Sequence, residues 1–254
     1  MIPKRIHYCW LSGSPLPENI QRYIDGWKQL LPDYEFRLWD AAAFEVNSVL
    51  WVKEAVEERK YAFAADYIRF YALYHFGGIY LDSDVKVLKR FDEFLKYPSF
   101  IGFEYCGVPE AAVIGCEPGC LWIKDCLDWY DKRSFRKPDG SLKCAPVPLL
   151  IKDILEKRTG TVIIDSGTVI KLSEVVLYPC TYFSPKSLYT NKMELSLETV
   201  CVHHFSSGWL KKGFLFKFSM FLHLVMLALI GKENHNRFWY HLWRWPYRKD
   251  EKDK

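Results

Sequence analysis

The stretch from Tyr61 to Asp84 restricts the fold more tightly than any other part of the chain. Phe63, Tyr67, Phe70 and Tyr74 form one stripe at helical spacing, and Ala65, Ile68 and Ala72 form another. A helix apolar on so many sides has to be buried. Yet a third stripe, Ala62, Asp66, Arg69 and Leu73, sets an acid and a base at i, i+3. Gly77-Gly78 then predicts a left-handed cap, and the strand Ile79-Tyr80-Leu81 follows at once and runs into Asp82-Ser83-Asp84. A buried helix, a glycine break and a short apolar strand specify a layered α/β fold. The carboxylates then sit at the carboxyl end of a strand, where open α/β sheets bind ligands.

Two readings of Asp66 and Arg69 fit the residues alone. One is a structural ion pair. The other is a pair completed by a sugar or ribose hydroxyl, because a charge removed from water needs a strong partner or a purpose. Asp82-x-Asp84 on a strand would share a face, and a turn there would let both carboxylates reach one cation. Mg²⁺ and Mn²⁺ prefer carboxylate oxygens together with phosphates and water, and a bound cation would neutralise a diphosphate leaving group. Short acidic pairs are also common in solvated turns, so the placement after a buried helix gives this one its weight.

The remaining pattern alternates short apolar runs with helical periodicity, which predicts a mostly parallel sheet. Strands are expected at Ile6–Trp10, Glu35–Trp39, Ser99–Glu104, Ala112–Gly115, Thr161–Ile164, Val175–Tyr178 and Val200–Phe205. Helices are expected through Trp27 to Leu31, over 47–58 and 61–76, at Gly119–Tyr130 and at Pro148–Lys157. With 254 residues, 50% hydrophobic and 26% charged, the chain suits one large domain with at most a small appendage. A formal charge of +4 is too small to argue for nucleic acid. The start, Met1 to His7, has no apolar core of a secretory signal, so the eight cysteines are expected to stay reduced in a cytosol, and the close group Cys116, Cys120 and Cys126 reads as small buried hydrophobes rather than a zinc site.

Ala65-Asp66-Tyr67-Ile68-Arg69-Phe70 through Gly77-Gly78-Ile79-Tyr80-Leu81-Asp82-Ser83-Asp84-Val85 resembles the D-x-D sugar-binding region of family 32 glycosyltransferases. Ile2-Pro3-Lys4-Arg5-Ile6-His7-Tyr8-Cys9-Trp10 and His203-His204-Phe205-Ser206-Ser207-Gly208-Trp209 match two further blocks in the right order. The same region resembles the catalytic core of the large glucosylating toxins. The resemblance implies a GT-A type α/β nucleotide-sugar-binding fold, a divalent metal (Mn²⁺ or Mg²⁺) and transfer with retention of anomeric configuration. Carried over by position, it implies donor contacts from Trp10 and Tyr80, donor hydroxyls held by Asp66 and Arg69, ribose and metal served by Asp82 and Asp84, His204 at the metal, and Ser207 and Trp209 at the diphosphate. Phe205 stands where many relatives have Trp. Ala111-Ala112-Val113-Ile114-Gly115 lacks the polar amides common in the family, which puts a donor contact there in doubt.

The residues support these placements unequally. Trp10 at a strand end could stack on a base or fill a core. His203 and His204 on a strand point to opposite faces, so at most one enters the site, and His204 is the expected one. His7 reads as structural. Residues 1–212 form the expected catalytic domain and 213–254 a helical tail, where an apolar run from Gly213 to Ile230 precedes interleaved aromatic and basic residues. That run is interrupted by Lys217, Ser219 and His223 and is too short to span, so the tail suits a lipid headgroup layer or, alternatively, a core helix. The expected protein is a peripheral enzyme at the cytoplasmic face of the cell membrane. It would move sugar from a nucleotide-sugar, a UDP-sugar by preference, to a glycan or lipid-linked saccharide in capsule or surface polysaccharide synthesis, with no nucleic-acid partner. The alternatives are a catalytically idle binding protein and a glycoside hydrolase, whose carboxyls would stand ~5 Å or more apart and need no metal.

Overall fold

The computed structural model describes residues 1–104, 107–144, 146–187, 192–206, 221–231, 234–235 and 238. Chain order begins β1 (Arg5–Cys9), α1 (Glu18–Leu30), β2 (Glu35–Trp39), α2 (Leu50–Glu57), α3 (Tyr61–Phe76), β3 (Gly78–Leu81), β4 (Val85–Val87), β5 (Ser99–Phe103) and β6 (Pro109–Cys116). It continues with α4 (Leu121–Tyr130), α5 (Val147–Thr159), β7 (Ile170–Lys171), β8 (Val176–Tyr178), α6 (Cys180–Phe183) and β9 (Cys201–His203).

Among the described residues, seven strands make one sheet in the order β2-β1-β3-β6-β5-β8-β7. β1 is parallel to β2 and β3, and β8 is parallel to β5. β6 runs antiparallel to both β3 and β5, so β5 and β8 point the same way as the first three strands, and β7 reverses at the edge. Five of the seven strands therefore share one direction. This is the mostly parallel α/β sheet that the alternation of apolar runs and helical periodicity predicts.

Both faces of the sheet are covered, which is why its strands read as continuous apolar runs. Tyr80, Ile101 and Phe103 face the core built with α2, α3, α4 and α5, while Ile6, Tyr8, Ile79, Leu81 and Phe100 face the core shared with α1, Phe91, Phe94 and Phe183. The expected helix α3 is buried over Phe63, Ala64, Asp66, Ile68, Arg69, Phe70, Ala72 and Leu73.

Two expectations change. The strand at Thr161–Ile164 does not form, because side chains take the Ile163 backbone: its N–H donates to Glu156 Oε1 at 3.0 Å and its carbonyl accepts from Lys152 Nζ. Gly77 does not take the left-handed helical cap. At φ 58° and ψ −169° it is in a region open essentially to glycine alone, and its N–H still donates to Leu73 O at 2.9 Å. The boundary expected at 212/213 lies outside the described residues, as do Ser207 and Trp209.

Gly78 has φ 101°, and a Cβ there would lie 2.6 Å from Arg5 O, the backbone of the neighbouring strand. Gly78→Ala should lose about 2 kcal/mol or more of stability, combining strain with that collision. Gly26, inside α1 with nothing near its missing Cβ, should gain about 0.5–1 kcal/mol on the same change. Urea unfolding of the two variants checks both signs.

Candidate functional site

β3 ends in a tight turn. Val85 N–H donates to Asp82 O at 3.0 Å, so Ser83 and Asp84 occupy the corner between β3 and β4. The turn is fixed on three sides. Asp82 N–H donates to Ala112 O of β6 at 2.9 Å, Trp27 Nε1 of α1 donates to Val85 O at 2.8 Å, and β4 pairs antiparallel with β9. That last pairing puts Val85 opposite His203 and so brings the third block of the sequence to the acids.

Arg69 reaches the turn from α3. Its Nη2 lies 2.8 Å from Asp66 Oδ1 and 3.4 Å from Asp82 Oδ1, and its Nη1 donates to Ala111 O. The guanidinium covers the ring of Tyr80 at 4.8 Å, and the Tyr80 hydroxyl donates to Asp82 Oδ1 at 3.0 Å. Burial opposes the charge on Arg69, but Asp82, Tyr80 and Asp66 outweigh it and the group stays cationic. Burial lifts Asp66 to about 6 against the pull of Arg69, and the Asp82 charge adds to the rise. Asp82 is also raised, first by burial.

Asp84 is held differently. Burial would raise it, but His203 and the Ser206 N–H, which donates to Oδ2 at 2.7 Å, hold it well below the usual carboxylate range. His203 Nε2 is 3.3 Å from Asp84 Oδ1, and on the other side of the ring Nδ1 is 3.4 Å from Glu110 Oε2. One ligand atom each from Asp82, Asp84 and His203 lie within 4.8 Å of one another. Two carboxylates and an imidazole at that spacing fit one hard or borderline divalent cation, with coordination positions left for phosphate oxygens and water.

Residues 17–101, which carry α3 and the turn, match the family described as "Glycosyltransferase sugar-binding region containing DXD motif". That segment of the chain thus resembles the sugar-binding region of DXD glycosyltransferases. It is 33% identical over 105 residues to the mannosyl phosphorylinositol ceramide synthase SUR1 of Saccharomyces cerevisiae, covering 40% of this chain and 27% of that protein. It is 34% identical over 104 residues to inositol phosphoceramide mannosyltransferase 3 of Schizosaccharomyces pombe, covering 39% of this chain and 29% of that protein. The chain thus matches well under a third of the length of these relatives. The solved PaToxG glycosyltransferase aligns with a TM-score of 0.47 and 19% identity over 63% of this chain and 70% of that one.

The structure brings Asp66, Arg69, Tyr80, Asp82 and Asp84 together as the sequence predicts. Tyr80, however, is 1% exposed, so it meets the rest of the site through its hydroxyl and Asp82 and presents no free ring. Trp10 is half-buried at the end of β1, its Nε1 donating to Ser14 O at 2.7 Å. His7 is consumed by the fold: Nδ1 accepts from Trp39 Nε1 at 3.1 Å and Nε2 donates to Gly77 O at 2.8 Å.

His203, rather than the expected His204, supplies the imidazole among the converging donor atoms. The register of β4 on β9 turns His203 to the carboxylates, while His204 stacks on Tyr23 with ring centroids 5.0 Å apart. Glu110 went unnoticed in the sequence. Its signal was a lone acid opening the apolar run Glu110-Ala111-Ala112-Val113-Ile114. In the same run Ala111 O accepts from Arg69 and Ala112 O accepts from the Asp82 N–H.

Because the Asp66 pKa is raised from 3.8 to about 6, the folded state holds a proton that the unfolded chain has already released over that interval. The contribution of this group to stability is fully present below about pH 4 and lost as pH rises to about 6. In chelator-containing buffer, denaturation of wild type and Asp66→Asn from pH 4 to 8 should show wild type losing ground to the variant up to about pH 6, with a constant gap above. Parallel curves throughout would contradict the assignment.

Proposed function

We propose that the chain is a metal-dependent, retaining glycosyltransferase that uses a nucleotide-sugar donor, a UDP-sugar by preference. The observation that carries this reading is the convergence of Asp82, Asp84 and His203 donor atoms within 4.8 Å, beside the buried Asp66–Arg69 pair. Asp82, Asp84 and His203 would hold Mn²⁺ or Mg²⁺, and the imidazole favours Mn²⁺. When bound, the cation supplies charge to neutralise the departing diphosphate. Arg69 and Asp66 orient donor hydroxyls: Asp66 accepts, and Arg69 offers its Nε–H, which is buried and has no partner among the described residues. Retention, and the contacts of Trp10, Ser207 and Trp209 with donor, rest on the family resemblance.

The acceptor class we propose is a lipid-linked saccharide or surface-glycan precursor. Two relatives named for mannosyl transfer to inositol phosphoceramide support a membrane-borne acceptor. A second support is the helical stretch 221–231, where Phe221, Leu222, Leu224, Val225, Leu229 and Ile230 are all exposed while His223 is buried. No helix among the described residues is long and apolar enough to cross a membrane. An exposed apolar helix followed in sequence by Arg237, Arg244, Arg248 and Lys249 suits an anionic lipid surface. We place the enzyme at the cytoplasmic face of that membrane, with residues 1–212 catalytic and 213–254 as the attachment.

Calorimetric titration of UDP should show binding that depends on Mn²⁺. Asp84→Ala should abolish that dependence and transfer while keeping the fold, and His203→Ala should weaken it more than His204→Ala. Nucleotide binding indifferent to Mn²⁺ would overturn the reading.

Leu229→Glu should reduce flotation with anionic liposomes and leave UDP binding unchanged, and added salt should weaken flotation of the wild type. Equal flotation of both proteins would remove the membrane proposal.

A further inference from the structure

We propose that Glu110 is a positioning residue that holds the His203 imidazole in the orientation and tautomer required at the cation site. The inference rests on the metal-dependent reading above. β6 is apolar except for Glu110, which is 1% exposed, and a carboxylate buried so deeply requires strong partners. Its two oxygens are divided. Oε1 accepts from Ala112 N–H at 2.9 Å, which fastens the carboxylate to its own strand, and Oε2 faces His203 Nδ1 at 3.4 Å.

The division has a chemical consequence. With Nδ1–H directed at Glu110, the nitrogen that would give up its proton to a cation is Nε2, the atom that faces Asp84 Oδ1 at 3.3 Å and belongs to the converging donor set. A histidine that ligates a metal commonly donates its other N–H to a carboxylate, which fixes the ring and raises its basicity. Three successive residues of β6 thus organise the site. Glu110 orients His203, Ala111 O accepts from Arg69, and Ala112 O accepts from Asp82 N–H. Glu110 itself lies outside residues 17–101, so this support comes from a different stretch of chain than the DXD turn.

The test is Mn²⁺ affinity, read from the electron paramagnetic resonance signal of the free ion, for wild type, Glu110→Gln, Glu110→Leu and His203→Ala. The two Glu110 changes are also combined with His203→Ala. Glu110→Leu should weaken Mn²⁺ binding about 10–100-fold. Glu110→Gln, whose amide oxygen can still accept from Nδ1–H, should recover part of that loss. In the His203→Ala background neither Glu110 change should weaken binding further, because the residue acts through the imidazole.

Wild-type affinity in a folded Glu110→Leu protein would overturn the proposal. So would equal losses with and without His203, which would mark Glu110 as a general electrostatic or structural support. Should Glu110→Leu fail to fold, Glu110→Gln with and without His203→Ala makes the same comparison. Absence of Mn²⁺ binding by the wild type would overturn the metal reading itself, and is seen before any variant is measured.

Discussion

The buried guanidinium of Arg69 is the constraint on which the rest of the site depends. A charge this far from water is tolerable only with close partners, and breaking such a pair leaves an uncompensated charge at a cost of about 3–5 kcal/mol. Arg69 finds its partners on three elements: Asp66 on its own helix, Asp82 at the end of β3 and the Ala111 carbonyl of β6. Helix, strand and neighbouring strand are therefore locked in one relative position before any ligand arrives. The same contacts leave Arg69 Nε buried without an acceptor among the described residues.

Around that fixed point, the two acids of the turn have opposite environments. Asp82 lies against Arg69 and Tyr80 and is raised by burial, whereas Asp84 is held ionised by His203 and the Ser206 N–H. Carboxylates two residues apart are thus given different characters by what each one touches. A short sheet of two strands, β4 and β9, achieves this by fastening residues some 120 positions away to the corner that follows the DXD turn.

Much of this was legible in the sequence, for identifiable reasons. The apolar stripes of α3 demand burial, and the glycine pair demands backbone that other residues cannot adopt. Gly77 and Gly78 meet that demand in conformations that the cap rule alone does not distinguish. The acids at a strand end followed from period and position. What the sequence could not reveal depended on long-range register. Which of His203 and His204 turns inward is set by the pairing of Val85 with His203, and β4 is only Val85–Val87, too short for a periodic signal. Glu110 was hidden for the same reason, since its partner lies 93 residues away. At Thr161–Ile164 the apolar pattern was real, but Lys152 and Glu156 satisfied the backbone that a strand would have offered to a neighbour.

The proposed cation site is formed by Asp82, Asp84 and His203 beside the buried Asp66–Arg69 pair. Anomalous diffraction at the manganese edge, from crystals grown with UDP and Mn²⁺, tests it directly. A single strong peak is expected within bonding distance of an oxygen of Asp82, an oxygen of Asp84 and His203 Nε2, with the nucleotide diphosphate completing the shell. A peak coordinated through His204 with His203 turned away, or nucleotide bound with no manganese at the turn, would contradict it.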